Sequence, residues 1–119
     1  MKALEDKDPG LLSKATEAYQ RSLEYDPGYP APYFYLGRLY KLAGKPYEAI
    51  FCWKKAVELN PAFEQPAYAL GVTYLELKDG KNALVYLNSI KRRFYPAYPP
   101  ARKREIDALI DQAMALPIR

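Results

Sequence analysis

Thirty-four residues separate Ala15 from Ala49 and Ala49 from Ala83, and each alanine is followed four residues later by a large side chain, Tyr19, Trp53 and Leu87. The same shift carries Glu24 to Glu58, Pro27 to Pro61, Pro32 to Pro66, Leu36 to Leu70, Gly37 to Gly71 and Tyr40 to Tyr74. A fixed period of this length means one supersecondary unit used repeatedly, each copy burying its apolar face against the next. Any fold without such a unit is excluded by the register alone.

Within the central unit the spacing predicts two helices and a tight turn. The first begins near Pro32, where proline is tolerated in an opening turn, and ends near Ala43-Gly44, where glycine suits a left-handed cap. Tyr33, Leu36, Gly37 and Tyr40 fall at i, i+3, i+4 and i+7 and share one face. The second helix runs from about Pro46 to Leu59 with Ala49, Ile50, Trp53, Ala56 and Val57 inward, and Asn60-Pro61 stops it. Small residues at Gly37, Gly71, Ala49, Ala56 and Ala83 let paired helices approach closely, and Tyr33, Tyr40 and Trp53 fill the space that is left.

Tyr33-x2-Leu36-Gly37-x2-Tyr40, then Ala49-x3-Trp53-x2-Ala56 and Pro61, closely resembles the tetratricopeptide repeat, with tyrosine where that family often has tryptophan. A second copy, Ala67-x2-Leu70-Gly71-x2-Tyr74 then Ala83-x3-Leu87, departs from the pattern in having Ile90 at the usual alanine and no proline at residue 95. Ala15-x3-Tyr19-x2-Ser22 and Pro27 look like the second helix of an earlier copy. The resemblance spans roughly residues 11 to 95. It implies an all-α fold, a right-handed superhelical solenoid of antiparallel helix pairs. Residues 1–29 hold a partial first repeat whose second helix is at about 11–25; 30–63 and 64–97 are full repeats; 98–119 hold a closing helix; all form one domain.

The two ends depart from the pattern. Extrapolating backward puts Lys2 and Asp6 where the family has an apolar residue and an aromatic, so the first copy lacks a proper first helix. Leu11, Leu12, Ala15 and Tyr19 are then expected to be partly uncovered, and a second copy of the chain is one candidate cover, because a terminal repeat cannot bury its own face. At the other end Arg93 to Pro100 reads as a proline- and tyrosine-rich link. Ala101 to Leu116 reads as a cap helix with Ile106, Leu109, Ile110, Ala113 and Met114 inward.

What the resemblance implies about function is protein binding, as a scaffold or adaptor, in a concave groove lined by the first helix of each pair. The groove positions are Ala31, Phe34, Arg38 and Lys41 in the central repeat and Gln65, Tyr68, Val72 and Leu75 in the next. Apolar groups beside Arg38 and Lys41 suit an extended or helical peptide that carries some acid. Val72 and Leu75 have a plainer alternative, packing under the cap helix. The family's carboxylate-binding version, known from co-chaperones that hold heat-shock protein tails, uses asparagine and lysine or arginine at set positions. Ala31, Tyr35, Gln65 and Ala69 stand there instead, so that version is not expected.

The residue inventory excludes much else. There is no histidine and Cys52 is the single cysteine, which removes nucleophile–histidine pairs, imidazole metal sites and an internal disulfide. Cys52 reads as a packed thiol without a base to activate it. No catalytic residue, metal site or cofactor is predicted, and the chain is not expected to be an enzyme. Met1 to Gly10 is polar, with no apolar signal core, and no run is long enough to span a membrane, so a cytoplasmic location is the expectation.

The net charge of +4 is uneven: residues 1–90 hold 11 basic and 11 acidic side chains, and residues 91–119 hold 7 and 3. Lys91, Arg92, Arg93, Arg102, Lys103 and Arg104 lie in fourteen residues without an acid. Interleaved with Phe94, Tyr95 and Tyr98, they offer a third reading, a nucleic-acid or anionic-surface site. The blander alternative, a solvated segment whose cations favour helix ends, is the preferred one.

Overall fold

The computed structural model describes residues 9–118, and for Pro9 and Leu11 the backbone alone. The polar stretch up to Asp8, with Lys2 and Asp6, and the side chain of Leu11 therefore lie outside the described residues. Among the described residues the fold is all-α, and within each compact unit successive helices pack on one another. The chain divides at Pro61–Ala62 into two compact units.

The first unit holds α1 (Pro9–Tyr25), α2 (Pro30–Leu42) and α3 (Pro46–Leu59). Each opens on a proline, whose missing N–H costs nothing in a first turn. α1 packs on α2 and α2 on α3. The α2–α3 crossing is built as the motif predicts. The Trp53 indole lies against Gly37 so closely that a β-carbon there would collide with its Nε1, Cδ1 and Cε2. Its Nε1–H donates to the Phe34 carbonyl at 3.1 Å, so the buried indole keeps a hydrogen bond. Ala49, Trp53 and Ala56 are 0%, 2% and 0% exposed.

The second unit holds α4 (Glu64–Glu76), α5 (Gly80–Arg93), a 3₁₀ turn (Tyr95–Ala97) and α6 (Pro100–Ala115). α4 pairs with α5 as α2 does with α3, and Leu87 closes on Gly71 in place of a tryptophan. Leu70, Ala83, Leu87 and Ile90 are fully buried. Ile90 thus fills the position where the motif has alanine. α6 lies on α5 and also touches α4, burying Ile106, Ile110 and Ala113. Met114, expected on that inward stripe, is 67% exposed. It belongs to the outer side because the helix turns about 100° per residue, carrying the position after Ala113 off the buried face.

The two pairs share one turn. After α2, Gly44 takes φ 77° and the Lys45 N–H returns to the Tyr40 carbonyl at 2.9 Å. After α4, Lys78 takes φ 63° and the Asp79 N–H returns to the Tyr74 carbonyl at 2.8 Å. The left-handed position is thus met once by glycine and once by a lysine that tolerates it at a cost. Asp79 then caps α5, its side chain accepting from the Asn82 N–H at 3.1 Å. One repeat earlier, Gly10 stands in the same register, yet α1 runs helically through it.

Candidate functional site

In the first unit the expected groove positions lie along α2. Arg38 is exposed, Ala31 and Lys41 are half-buried, and Phe34 is 7% exposed. Phe34 is therefore not the open groove residue that the motif register suggested. Its ring packs edge-on to Tyr35 at 5.2 Å, and the Arg38 guanidinium stands 6.0 Å from its centroid. Phe34 acts as the floor under a cation. Tyr35, one residue along and 40% exposed, takes the open place and stacks on Tyr19 of α1 at 5.7 Å with an 18° interplanar angle. Spacing alone did not single out Tyr35 as an open aromatic. The signal available was its place at the edge of the groove stripe, opposite an aromatic of the preceding helix.

In the second unit the counterpart surface is engaged by the chain itself. The Tyr68 hydroxyl donates to Glu105 Oε1 at 2.6 Å, and Arg102 stands 4.6 Å from its ring centroid. Arg102 also bonds Glu64 at 3.0 Å and Glu105 at 2.9 Å and lies 5.3 Å from the Tyr98 ring. This sequence-predicted ligand residue is thus an anchor point for α6. Val72 and Leu75 are half-buried and Gln65 is exposed.

The electrostatics follow from these contacts. Burial, and then the bond to Glu105, raise the Tyr68 phenol above its usual value; Tyr68 and Arg102 in turn hold the Glu105 carboxyl below its own. Tyr98 is pushed up to about 12, chiefly by burial and next by Glu64. Burial lowers Arg102, but its bonds to Glu105 and Glu64 outweigh that and leave it a fixed cation.

The basic segment is divided in the same way. Lys91 Nζ meets Asp107 Oδ1 at 3.0 Å, the Tyr95 hydroxyl donates to Asp107 Oδ2 at 2.7 Å, and Lys91 and Lys103 stand 5.0 and 5.2 Å from the Tyr95 ring centroid. The Tyr95 and Lys91 bonds hold Asp107 below its ordinary carboxylate value. Arg92, Arg93 and Arg104 remain exposed. The acid-free window of the sequence ended one residue before Glu105, and folding returns that carboxylate, Asp107 and Glu64 to the cations.

At the start of the first unit, Leu12 is 8% exposed, not open: it shares a cleft of about 630 Å³ with Leu39 and Leu42 at the end of α2. Ala15, Tyr19 and Ser22 are half-buried. Cys52 is buried, and burial pushes its thiol up to about 11, away from the thiolate that nucleophilic chemistry needs. No helix among the described residues is long and apolar enough to cross a membrane.

Comparison with known proteins agrees with this architecture. The family model of the tetratricopeptide repeat matches residues 30–63, the stretch containing α2 and α3. A protein named probable UDP-N-acetylglucosamine–peptide N-acetylglucosaminyltransferase SPINDLY, from Hordeum vulgare, is 36% identical over 78 residues. That match covers 60% of this chain and 8% of the relative, so the chain spans a small fraction of the relative's length.

Proposed function

Since this chain belongs to the tetratricopeptide repeat family, we propose that it works as a non-catalytic binding module that holds a peptide segment of another protein along α2. A role in protein interaction is what the repeat supports in general; the site and the ligand chemistry are our reading. The transferase activity named for the relative from Hordeum vulgare belongs to a protein of which only 8% is matched, and it is not carried over.

The observation that carries the reading is the contrast between two cations. Arg102 is enclosed by Glu64 and Glu105, whereas Arg38 is exposed over the Phe34 ring and meets no carboxylate among the described residues. A guanidinium held by an aromatic floor and lacking an acid keeps its fork for a ligand carboxylate, either a side chain or a C-terminus. The Tyr19–Tyr35 stack supplies apolar contact in the same unit. A reducing, cytoplasmic setting fits the single buried thiol.

Selection from a random peptide library tests this. The wild-type chain should enrich sequences with an acid beside an apolar residue, and Arg38→Glu should abolish that enrichment while far-ultraviolet circular dichroism stays unchanged. Identical enrichment by the two proteins refutes the assignment.

A further inference from the structure

α5 is a helix without an acid. Gly80–Arg93 carries Lys81, Lys91, Arg92 and Arg93 and no aspartate or glutamate. Lys81, Val85, Asn88, Ser89 and Arg92 recur at i, i+4, i+7, i+8 and i+11, which places them on one face. Ser89 is half-buried and the other four are exposed. Ser89, Arg92 and Arg93 line a shallow depression of about 230 Å³.

Helix electrostatics explain part of this charge. Cations in a last turn offset the negative end of the helix dipole, which accounts for three of the four. Lys81 sits in the first turn, where the dipole opposes it. Within the unit Asp107 neutralises Lys91. Among the described residues Lys81, Arg92 and Arg93 meet no carboxylate.

We propose that this face of α5 is a docking strip for an acidic protein segment, one rich in aspartate and glutamate. The guanidinium forks of Arg92 and Arg93 suit carboxylates, the Ser89 hydroxyl can donate to a third, and Val85, 54% exposed, gives one apolar contact. From Lys81 to Arg93 the strip is about 18 Å long, room for about five residues of extended chain. Other polyanions fit less well. Tyr95 and Tyr98, the rings on which bases would stack, already lie against Lys91, Lys103 and Arg102. Asp107 and Asp111 both act on Lys91. A membrane surface or a duplex broad enough to reach past α5 would meet these acids, and a single chain lying along the helix does not.

The strip is independent of the α2 surface, and the two readings fail separately. The experiment is fluorescence anisotropy with the full chain and a labelled glutamate–aspartate peptide of about ten residues. Saturable binding is expected at about 30 mM salt, weakened roughly tenfold or more at about 300 mM. Arg92→Glu/Arg93→Glu should weaken it by roughly tenfold or more, and Arg92→Gln/Arg93→Gln, a gentler change, by less. Arg38→Glu on α2 and Arg104→Glu on α6 should leave it within about twofold. No binding at the lower salt overturns the proposal. So does equal loss with Arg38→Glu, or tighter binding of a single-stranded oligonucleotide or of phosphatidylserine vesicles than of the peptide.

Discussion

α1 and α3 are the same helix in the repeat register, and they are buried differently. Ala49, Trp53 and Ala56 of α3 are sealed at 0–2% exposure, whereas Ala15, Tyr19 and Ser22, each 34 residues earlier, are half-buried. Ala15 and Ala49 are the same side chain buried to different extents, so apolar character alone does not set burial. Within the described residues α3 has a preceding helix on its inner face, α2 with Gly37 at the crossing, and α1 has no preceding helix of that kind. α1 has only the neighbour that follows it, α2, and Tyr19 finds partial cover by stacking on Tyr35. The small residue of the first helix and the large one of the second act as a pair, and each is worth its full contribution only when both are present.

That comparison breaks most visibly under truncation of the large residue. Trp53→Ala removes a fully enclosed indole and the hydrogen bond to the Phe34 carbonyl, and should cost about 3–5 kcal/mol. Leu87→Ala in the second unit should cost about 2–5 kcal/mol. Tyr19→Ala should cost about 1–1.5 kcal/mol, because its ring is half-exposed before the change. Urea unfolding of the three variants, read at constant m-value, gives the order. Equal losses for Tyr19 and Trp53 would mean that α1 is covered as fully as α3.

Much of this fold was legible in the sequence because its determinants are local. Proline starts, Gly44 and the Gly37–Trp53 spacing each act within one helix pair, and the Ala49–Ala83 period repeats that pair, so a periodicity reads them directly. The surface was less legible because it depends on pairs distant in the chain. Arg102 meets Glu64 across 38 residues and Tyr68 meets Glu105 across 37. A window of charge along the chain counts the cations and misses the carboxylates that folding brings to them. Phe34 shows a second limit: the register identified its helical face, but whether a residue on that face is a floor or an open contact depended on Tyr35 and Arg38. Met114 failed for a similar reason, since an apolar stripe widened by one residue runs past the edge of the buried face.

The shared turn sharpens the comparison of the two helix pairs. Gly44 and Lys78 occupy the same left-handed position with nearly the same hydrogen bonds, so the glycine meets no steric penalty there and the lysine does. Lys78→Gly should stabilise the protein by about 1 kcal/mol, and Gly44→Lys should destabilise it by about the same amount. Thermal unfolding of each variant against the wild type measures both. No gain from Lys78→Gly would show that the lysine side chain has contacts that offset the backbone cost.

The smallest expected effect concerns acid, and it is read in the second unit. Glu105 and Asp107 are both held below their ordinary values, Glu105 by Tyr68 and then Arg102, Asp107 by Tyr95 and then Lys91. A carboxyl that binds its proton less readily when folded favours folding wherever the unfolded chain would already be ionised. Its contribution is therefore complete above the ordinary values of 4.5 and 3.8 and disappears as pH falls through the lower folded ones. These groups lie at the surface, where solvent screens such pairs, so the change should be modest. The expected outcome is a loss of stability on acidification from about pH 5 to about pH 3 that is reduced in Glu105→Gln/Asp107→Asn. A double variant that kept the full wild-type slope would show that α6 is held by Ile106, Ile110 and Ala113 without help from its ion pairs.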